Sequence, residues 1–310
     1  MFKNLILKIE KFLWQPSFFG ILFAIFLLPL SALYSALICI KKLLAKPQNM
    51  GIPIISVGNL TLGGSGKTPL VKAIYNEFCD EYKICIILRG YKRQSKGLLV
   101  VCDNGKILCE VSQSGDEAME YALSLKNSLV IVSEDRKIAV EKAKKTGANL
   151  ILFDDGFGKF DILKFDILLL PSPLPRLPFT IPSSAYRYPL FFARFANFIP
   201  KSSDIFANSQ ILNPTKNMIL VTAIAKPWRL KEFFSQTKAQ IFYPDHYDLK
   251  KDELENLLKI HNATSLLITE KDYAKIKNFD LPTSIIRLNL TISENFKDKI
   301  KSYIKQNLIK

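Results

Sequence analysis

The segment Ile54-Ile-Ser-Val-Gly-Asn-Leu-Thr-Leu-Gly-Gly-Ser-Gly-Lys-Thr68 restricts what this chain can fold into more than any other. Its apolar start reads as a buried strand that leads into a glycine-rich turn ending Gly66-Lys67-Thr68. Glycines let the backbone point successive N–H groups inward around phosphate oxygens, and the N-terminus of a following helix adds its positive dipole end. Thr61, Leu62, Gly63, Gly64, Ser65, Gly66, Lys67 and Thr68 are therefore the candidate nucleotide-binding residues. Lys67 would reach the β- and γ-phosphates, and the Thr68 hydroxyl would sit on Mg²⁺. The full pattern has glycine five residues before the last one, where this chain has Thr61. Strand, turn, Lys-Thr and helix in that order predict binding of a nucleoside triphosphate.

A second constraint is the charge-free stretch from Phe12 to Ile40. Phe18 to Ile40 as one helix would be about 35 Å long, enough to cross a hydrocarbon core of about 30 Å. Lys3, Lys8 and Lys11 precede it, and Lys41, Lys42 and Lys46 follow. Residues 1–45 thus read as an N-terminal membrane-anchoring helix; the run is too long for a signal peptide, and no small-residue cleavage site accompanies it. Pro29 leaves open a helical hairpin or re-entrant element, and the segment could also lie in the membrane surface. Deleting it should then spare ATP binding while cutting turnover on lipid.

The net charge of +15 suits the same setting, because each Lys or Arg beside anionic headgroups contributes about 1 kcal/mol. The lysines are scattered and no helix-turn-helix, zinc or RNA-binding signature accompanies them, so nucleic acid is not an expected partner. Cys39, Cys79, Cys85, Cys102 and Cys109 are odd in number and show no paired metal spacing. They read as free thiols in a reducing compartment, which with the need for ATP puts the catalytic part in the cytosol.

Beyond the anchor, short apolar runs alternate with helical patterns, the signature of a parallel sheet with crossover helices. Expected strands are Pro53–Val57, Lys83–Leu88, Leu129–Ser133, Asn149–Phe153 and Asp166–Leu170, with helices over Thr68–Asp80, Asp116–Leu125 and Asp135–Lys145. The proline-rich stretch from Pro171 to Pro178, with Pro182 and Pro189 beyond it, predicts an irregular loop near the active site or between lobes. A second alternating set has strands at Met218–Thr222, Ala239–Phe242, Ser265–Ile268 and Ser284–Leu288, and helices near Trp228–Ser235, Lys251–Ile260 and Ser293–Gln306. The fold class is therefore α/β: a P-loop NTPase-like parallel sheet with flanking helices over residues 46–213, and a smaller α/β lobe over residues 214–310.

Asn149-Leu-Ile-Leu-Phe-Asp-Asp-Gly-Phe157 is a buried strand ending in two carboxylates, the arrangement that orders Mg²⁺ between the β- and γ-phosphates. Adjacent aspartates point to different sides, so one of Asp154 and Asp155 faces the metal; Asp155 joins Thr68 as the candidate metal site and Asp154 the catalytic set. Asp116 reads from its surroundings as a helix N-cap with Glu117 in the first turn. His246, in the turn Tyr243-Pro-Asp-His-Tyr-Asp248, is a better catalytic candidate than His261. Arg89 follows the second strand, at the edge where open α/β sheets bind ligands. It can grip an anionic substrate or belong to a solvated basic loop.

Taken in order, Ser56–Thr68, Arg89-Gly-Tyr91, Gly115-Asp-Glu117, Glu134-Asp-Arg136, Asp154-Asp-Gly-Phe157, Pro244-Asp-His-Tyr247 and Thr269-Glu-Lys-Asp272 resemble the tetraacyldisaccharide 4′-kinase family across nearly the whole chain. The resemblance also accommodates Thr61, since that family takes Ser or Thr there. It implies ATP-dependent phosphorylation of the 4′-hydroxyl of a lipid A disaccharide 1-phosphate to give lipid IVA, among inner-membrane lipids at the cytoplasmic face. It implies a cleft between two lobes, with Asp116 taking the hydroxyl proton and His246 holding and tuning it from the second lobe. Two departures stand out. Gly158-Lys159 replaces the usual Gln-His, and Arg187-Tyr188-Pro189 replaces Arg-Glu-Pro; Arg187 remains a candidate lipid or phosphate contact.

A P-loop GTPase or metallochaperone-type switch would specify guanine with Asn-Lys-x-Asp, and Thr269-Glu-Lys-Asp272 is shifted by one from that spacing. A membrane-tethered tyrosine kinase or partition-type ATPase would predict a tyrosine-rich tail, of which residues 301–310 offer little.

Overall fold

The computed structural model describes residues 2–63, 65–224, 227–245 and 247–308. Helix α1 spans Phe2–Trp14, and the apolar run after it divides into α2 (Phe18–Phe26) and α3 (Leu28–Leu44) rather than forming one helix. Pro29 explains the division, because a proline lacks the N–H an interior turn needs but suits a helix start. Among the described residues no single helix is long and apolar enough to cross a membrane. One pair, Lys8–Trp14 and Phe18–Phe26, passes by length and composition but is bent by 81°.

The first sheet is built from β1 (Ile54–Asn59), which α4 (Lys67–Phe78) follows, and from β2 (Ile84–Leu88), β3 (Leu99–Asp103) and β4 (Lys106–Ile107). After α5 (Val111–Ser114) and α6 (Asp116–Ser124) come β5 (Leu129–Val132), α7 (Arg136–Lys145), β6 (Leu150–Asp154) and β7 (Phe165–Leu169). The strand order is β4-β3-β5-β2-β6-β1-β7, with β5, β2, β6, β1 and β7 parallel and β3 antiparallel to both its neighbours. The parallel strands read as nearly unbroken apolar runs because helices cover both faces. Ile84, Ile86 and Leu88 meet Leu70, Ile74 and Phe78 of α4 and Met119 of α6 on one face, while Cys85 and Ile87 meet Ala139, Val140 and Ala143 of α7 on the other.

The second sheet contains β8 (Ile205–Leu212), β9 (Met218–Thr222), β10 (Thr237–Phe242), β11 (Ser265–Thr269) and β12 (Thr283–Ile292), in the order β10-β9-β11-β12-β8. Helix α8 (Lys251–Ile260) lies between β10 and β11, α9 (Glu270–Ile276) follows β11, and α10 (Glu294–Leu308) closes the chain. Two features depart from a division at residue 213. Strand β8 precedes that point yet pairs antiparallel with β12 of the second sheet. Helix α10 returns to the first sheet, where Phe296, Ile300 and Ile304 join the core of α4. Fully burying each such side chain is worth roughly 1.5–3 kcal/mol, enough to tie the two sheets together.

Candidate active site

The parallel strands of the first sheet end at one edge, and the predicted chemistry collects there. Gly66 has φ +87°, a left-handed conformation that favours glycine, and it caps α4 so that Lys67 and Thr68 open the helix. The sequence-predicted turn residues Thr61, Leu62, Gly63, Ser65, Gly66, Lys67 and Thr68 lie together in this strand-to-helix connection, while Gly64 lies outside the described residues.

Asn59, the last residue of β1, organises the turn. Its Oδ1 accepts from Lys67 Nζ (3.3 Å) and from Arg187 Nη2 (2.7 Å). Its Nδ2 reaches Thr61 Oγ1 and the Gly63 carbonyl, both at 3.5 Å. Sequence reasoning quoted Asn59 without giving it a role. Its position as a polar residue ending an apolar strand just before the glycine turn was the available signal.

The two aspartates separate as expected, and their surroundings differ. Asp155, with φ +56°, turns out toward the basic groups: Arg187 grips it with Nη1 at 2.9 Å and Nη2 at 2.7 Å, and Lys67 Nζ lies 3.6 Å away. Burial alone would raise its pKa, but the charges of Lys67 and Arg187 and the Arg187 bonds outweigh it and hold the carboxylate well below its usual range. Asp154 is buried; its Oδ2 accepts from the Tyr121 phenol at 2.8 Å. Its Oδ1 is buried with no hydrogen-bond partner among the described residues. Burial and the neighbouring Asp155 push Asp154 upward against Lys67 and Arg136. Tyr121 also hydrogen-bonds Thr68, so one phenol joins the start of α4 to the strand-end Asp154.

Glu117 sits one helical turn before Tyr121 on α6, the i, i+4 spacing that puts both side chains on one face. Burial, and then the charge of Asp154, lift it to about 7 against the opposing pull of Lys271 and Lys67. Asp116 opens α6, and Lys275 of α9 approaches it at 3.4 Å from the second sheet. The same Lys275 donates to the Tyr247 carbonyl at 3.1 Å, and Lys271 pairs with Asp245 at 2.8 Å. The segments around Asp116 and His246 are therefore brought together by α9. His246 itself lies outside the described residues. Neither Lys275 nor its helix was anticipated; Lys275 sits three residues after Asp272 of the quoted Thr269–Asp272 motif, and Thr269 is the side-chain N-cap that marks the helix start.

Arg89 is exposed at the end of β2, where its charge acts on Arg136 and Lys159. Arg136 is only 3% exposed. Burial pulls its pKa down to about 10 against the attraction of Asp154 and Asp155. Arg187, a candidate substrate contact from sequence, spans Asp155 and Asn59. The two sequence departures meet in space. A Cβ on Gly158 would collide with the Tyr188 hydroxyl, and Tyr188 packs edge-on against Phe157 and Phe160 at 5.5 and 6.2 Å.

A lysine and threonine at the start of a helix, fed by a glycine turn and facing a strand-end aspartate pair, define a nucleotide-dependent phosphotransferase of the mostly parallel α/β class. The description tetraacyldisaccharide-1-P 4′-kinase (LpxK) matches residues 23–171 and 191–308. The chain belongs to that family and is a kinase. A tetraacyldisaccharide 4′-kinase of Campylobacter jejuni serotype O:2 is 47% identical over 304 residues, 98% of each chain. One of Helicobacter pylori is 38% identical over 300 residues, covering 96% of this chain and 94% of its own. The crystal structure of LpxK from Aquifex aeolicus in complex with ATP superposes with a TM-score of 0.75 at 25% identity, over 92% of this chain and 99% of that one.

Proposed function

We propose that this kinase transfers the γ-phosphoryl group of ATP to the 4′-hydroxyl of a tetraacyldisaccharide 1-phosphate, giving lipid IVA. The observation that carries the reading is the convergence of Lys67, Thr68, Asp154 and Asp116 at one sheet edge, in a family whose Aquifex aeolicus relative was crystallised with ATP. The turn from Thr61 to Thr68 cradles the phosphates, and Lys67 reaches the β- and γ-phosphates. In the transfer the bond between the γ-phosphorus and its bridging oxygen breaks, ADP leaves, and the 4′-oxygen bonds to phosphorus. The hydroxyl proton passes to the Asp116 carboxylate, a transfer that positioned acid–base groups accelerate by about 10²–10⁴. His246 would hold Asp116 from the second lobe, as the family resemblance implies.

Mg²⁺ would neutralise charge between the β- and γ-phosphates. Asp154 and Thr68 are the residues that would hold it: Asp154 Oδ1 is a buried acceptor with no partner among the described residues, and Thr68 is joined to it through Tyr121. Asp155, expected at the metal, is better suited to fixing Arg187 over the turn. No group of three or more His, Cys, Asp or Glu side chains suits a metal among the described residues, which agrees with Mg²⁺ taking one or two carboxylates plus phosphate oxygens.

The enzyme works at the cytoplasmic face of the inner membrane. Phe18, Phe19 and Phe26 of α2 and Leu43 and Leu44 of α3 are exposed, as are Phe191 and Phe195 nearby. Lys42 lies 5.0 Å from the rings of both Phe160 and Phe195, and Arg194 lies 4.9 Å from Phe195. Apolar rings beside snorkelling cations suit an anionic lipid surface. The full-length protein in detergent–lipid micelles, with ATP, Mg²⁺ and a tetraacylated glucosamine disaccharide 1-phosphate, should yield the 4′-phosphorylated product. Nucleotide hydrolysis without that product would overturn the reading.

A further inference from the structure

Ser31 is only 3% exposed, and it is the buried residue of α3, whose Leu30, Leu33, Leu37, Leu43 and Leu44 are exposed. Its hydroxyl donates to the Thr180 carbonyl at 2.9 Å, lies 2.7 Å from Ser183 Oγ, and accepts the Ser183 N–H at 3.1 Å. In return the Thr180 hydroxyl donates to the Ser31 carbonyl at 3.0 Å and lies 2.9 Å from Ser35 Oγ. Thr180, Ser183 and Ser184 are themselves buried. Anchoring a helix to packing partners needs no such polar cluster, and sealing several hydroxyls from water is worthwhile only when all are partnered.

What the cluster holds is the back of the nucleotide turn. From Thr180 the chain doubles back: Ile181 N–H donates to the Tyr186 carbonyl at 2.8 Å. Tyr186 pairs with Thr61, and Leu62 N–H donates to the Ala185 carbonyl at 2.8 Å. One residue on, Arg187 N–H donates to the Leu60 carbonyl at 2.7 Å, and its guanidinium closes on Asp155 and Asn59. The path from Ser31 to the guanidinium alternates these hydrogen bonds with the peptide links Thr180–Ile181 and Tyr186–Arg187.

We infer that Ser31 is a positioning residue for the phosphotransfer site, setting through Thr180–Tyr186 where Arg187 stands over Asp155 and the glycine turn. The inference rests on the kinase reading above. It makes α3 part of the active-site scaffold as well as of the proposed lipid-facing surface.

A double-mutant cycle on full-length protein tests it, with kcat for lipid phosphorylation and the thermal midpoint read for each form. Ser31→Ala should lower kcat about tenfold, in line with the loss of one buried hydrogen-bonding partner. In an Arg187→Lys background the same change should cost less than about twofold, because residues acting through one another are not additive. Equal fold losses in both backgrounds would mean a general packing role and overturn the inference. Wild-type activity that Ser31→Ala leaves unchanged would overturn it as well. A wild type that forms no 4′-phosphorylated product would instead remove the kinase reading and this inference with it. Should Ser31→Ala fail to accumulate folded, Ser35→Ala, which removes only the bond to Thr180 Oγ1, runs the same cycle with the same criteria.

Discussion

The Tyr121 phenol donates to Asp154 Oδ2 at 2.8 Å, leaving Oδ1 of the same carboxylate buried and unpartnered among the described residues. On the proposed chemistry, the tyrosine fixes one oxygen and the other is the one offered to Mg²⁺. Tyr121→Phe should therefore raise the Mg²⁺ concentration needed for half-maximal activity, by about tenfold if one hydrogen bond to a charged group is lost. A magnesium titration of kinase activity checks this, and an unchanged requirement would count against Asp154 as the metal-facing carboxylate.

Glu117 makes stability depend on pH in a definite direction. Its folded pKa of about 7 lies above the ordinary carboxyl value of 4.5. The folded state thus binds more protons than the unfolded state between those values, so its contribution to stability is lost as pH rises from 4.5 through about 7. Glu117→Gln should raise the thermal midpoint at pH 8 and change it far less at pH 4.5. Melting curves at the two values test this, and equal shifts would contradict it.

Between the sheets, Lys72 of α4 pairs with Glu120 of α6 at 2.7 Å and with Glu270 of α9 at 2.8 Å, and Glu270 also holds Arg287 of β12 at 2.7 Å. Removing one partner of a buried pair leaves an uncompensated charge, at a cost of about 3–5 kcal/mol. Lys72→Ala should cost that order of stability in a denaturant titration. Lys72→Met with Glu120→Leu and Glu270→Leu should recover most of it.

The fold was legible where strands are buried on both faces: the five parallel strands of the first sheet and β9 and β11 of the second fall where continuous apolar runs predict them. The β3–β4 hairpin was not predicted, although Asn104-Gly105, both at positive φ, is its local turn signal. Strand β8 reads IFANSQIL, edge-like and partly exposed, and gives no clean alternation. Pattern could say that Asp154 and Asp155 diverge, but not which would be neutralised by Arg187, a residue 32 positions away. Nor could it show that Ser31 binds the proline-rich loop. A detachable anchor was the natural expectation. With Ser31 and Ser35 bonded into that loop, deleting residues 1–45 should weaken ATP binding as well as lipid turnover, which nucleotide titration of the truncated protein will show.

The exposed rings and lysines near α3 predict a salt-sensitive attraction to lipid. Lys41→Gln with Lys42→Gln should weaken binding to vesicles containing anionic lipid by about thirtyfold at low salt, since two cations at about 1 kcal/mol each are lost. Neutral vesicles should show little change, and co-sedimentation distinguishes the two.

The most direct test compares wild type with Asp116→Ala in lipid phosphorylation at saturating ATP and Mg²⁺. Asp116 sits at the start of α6, with Lys275 of α9 3.4 Å away. Its loss should cut kcat at least about a hundredfold, as for a positioned acid–base group, while nucleotide still protects the variant against thermal unfolding. A variant that keeps wild-type kcat would contradict Asp116 as the base and, with it, the proposed chemistry of this cleft.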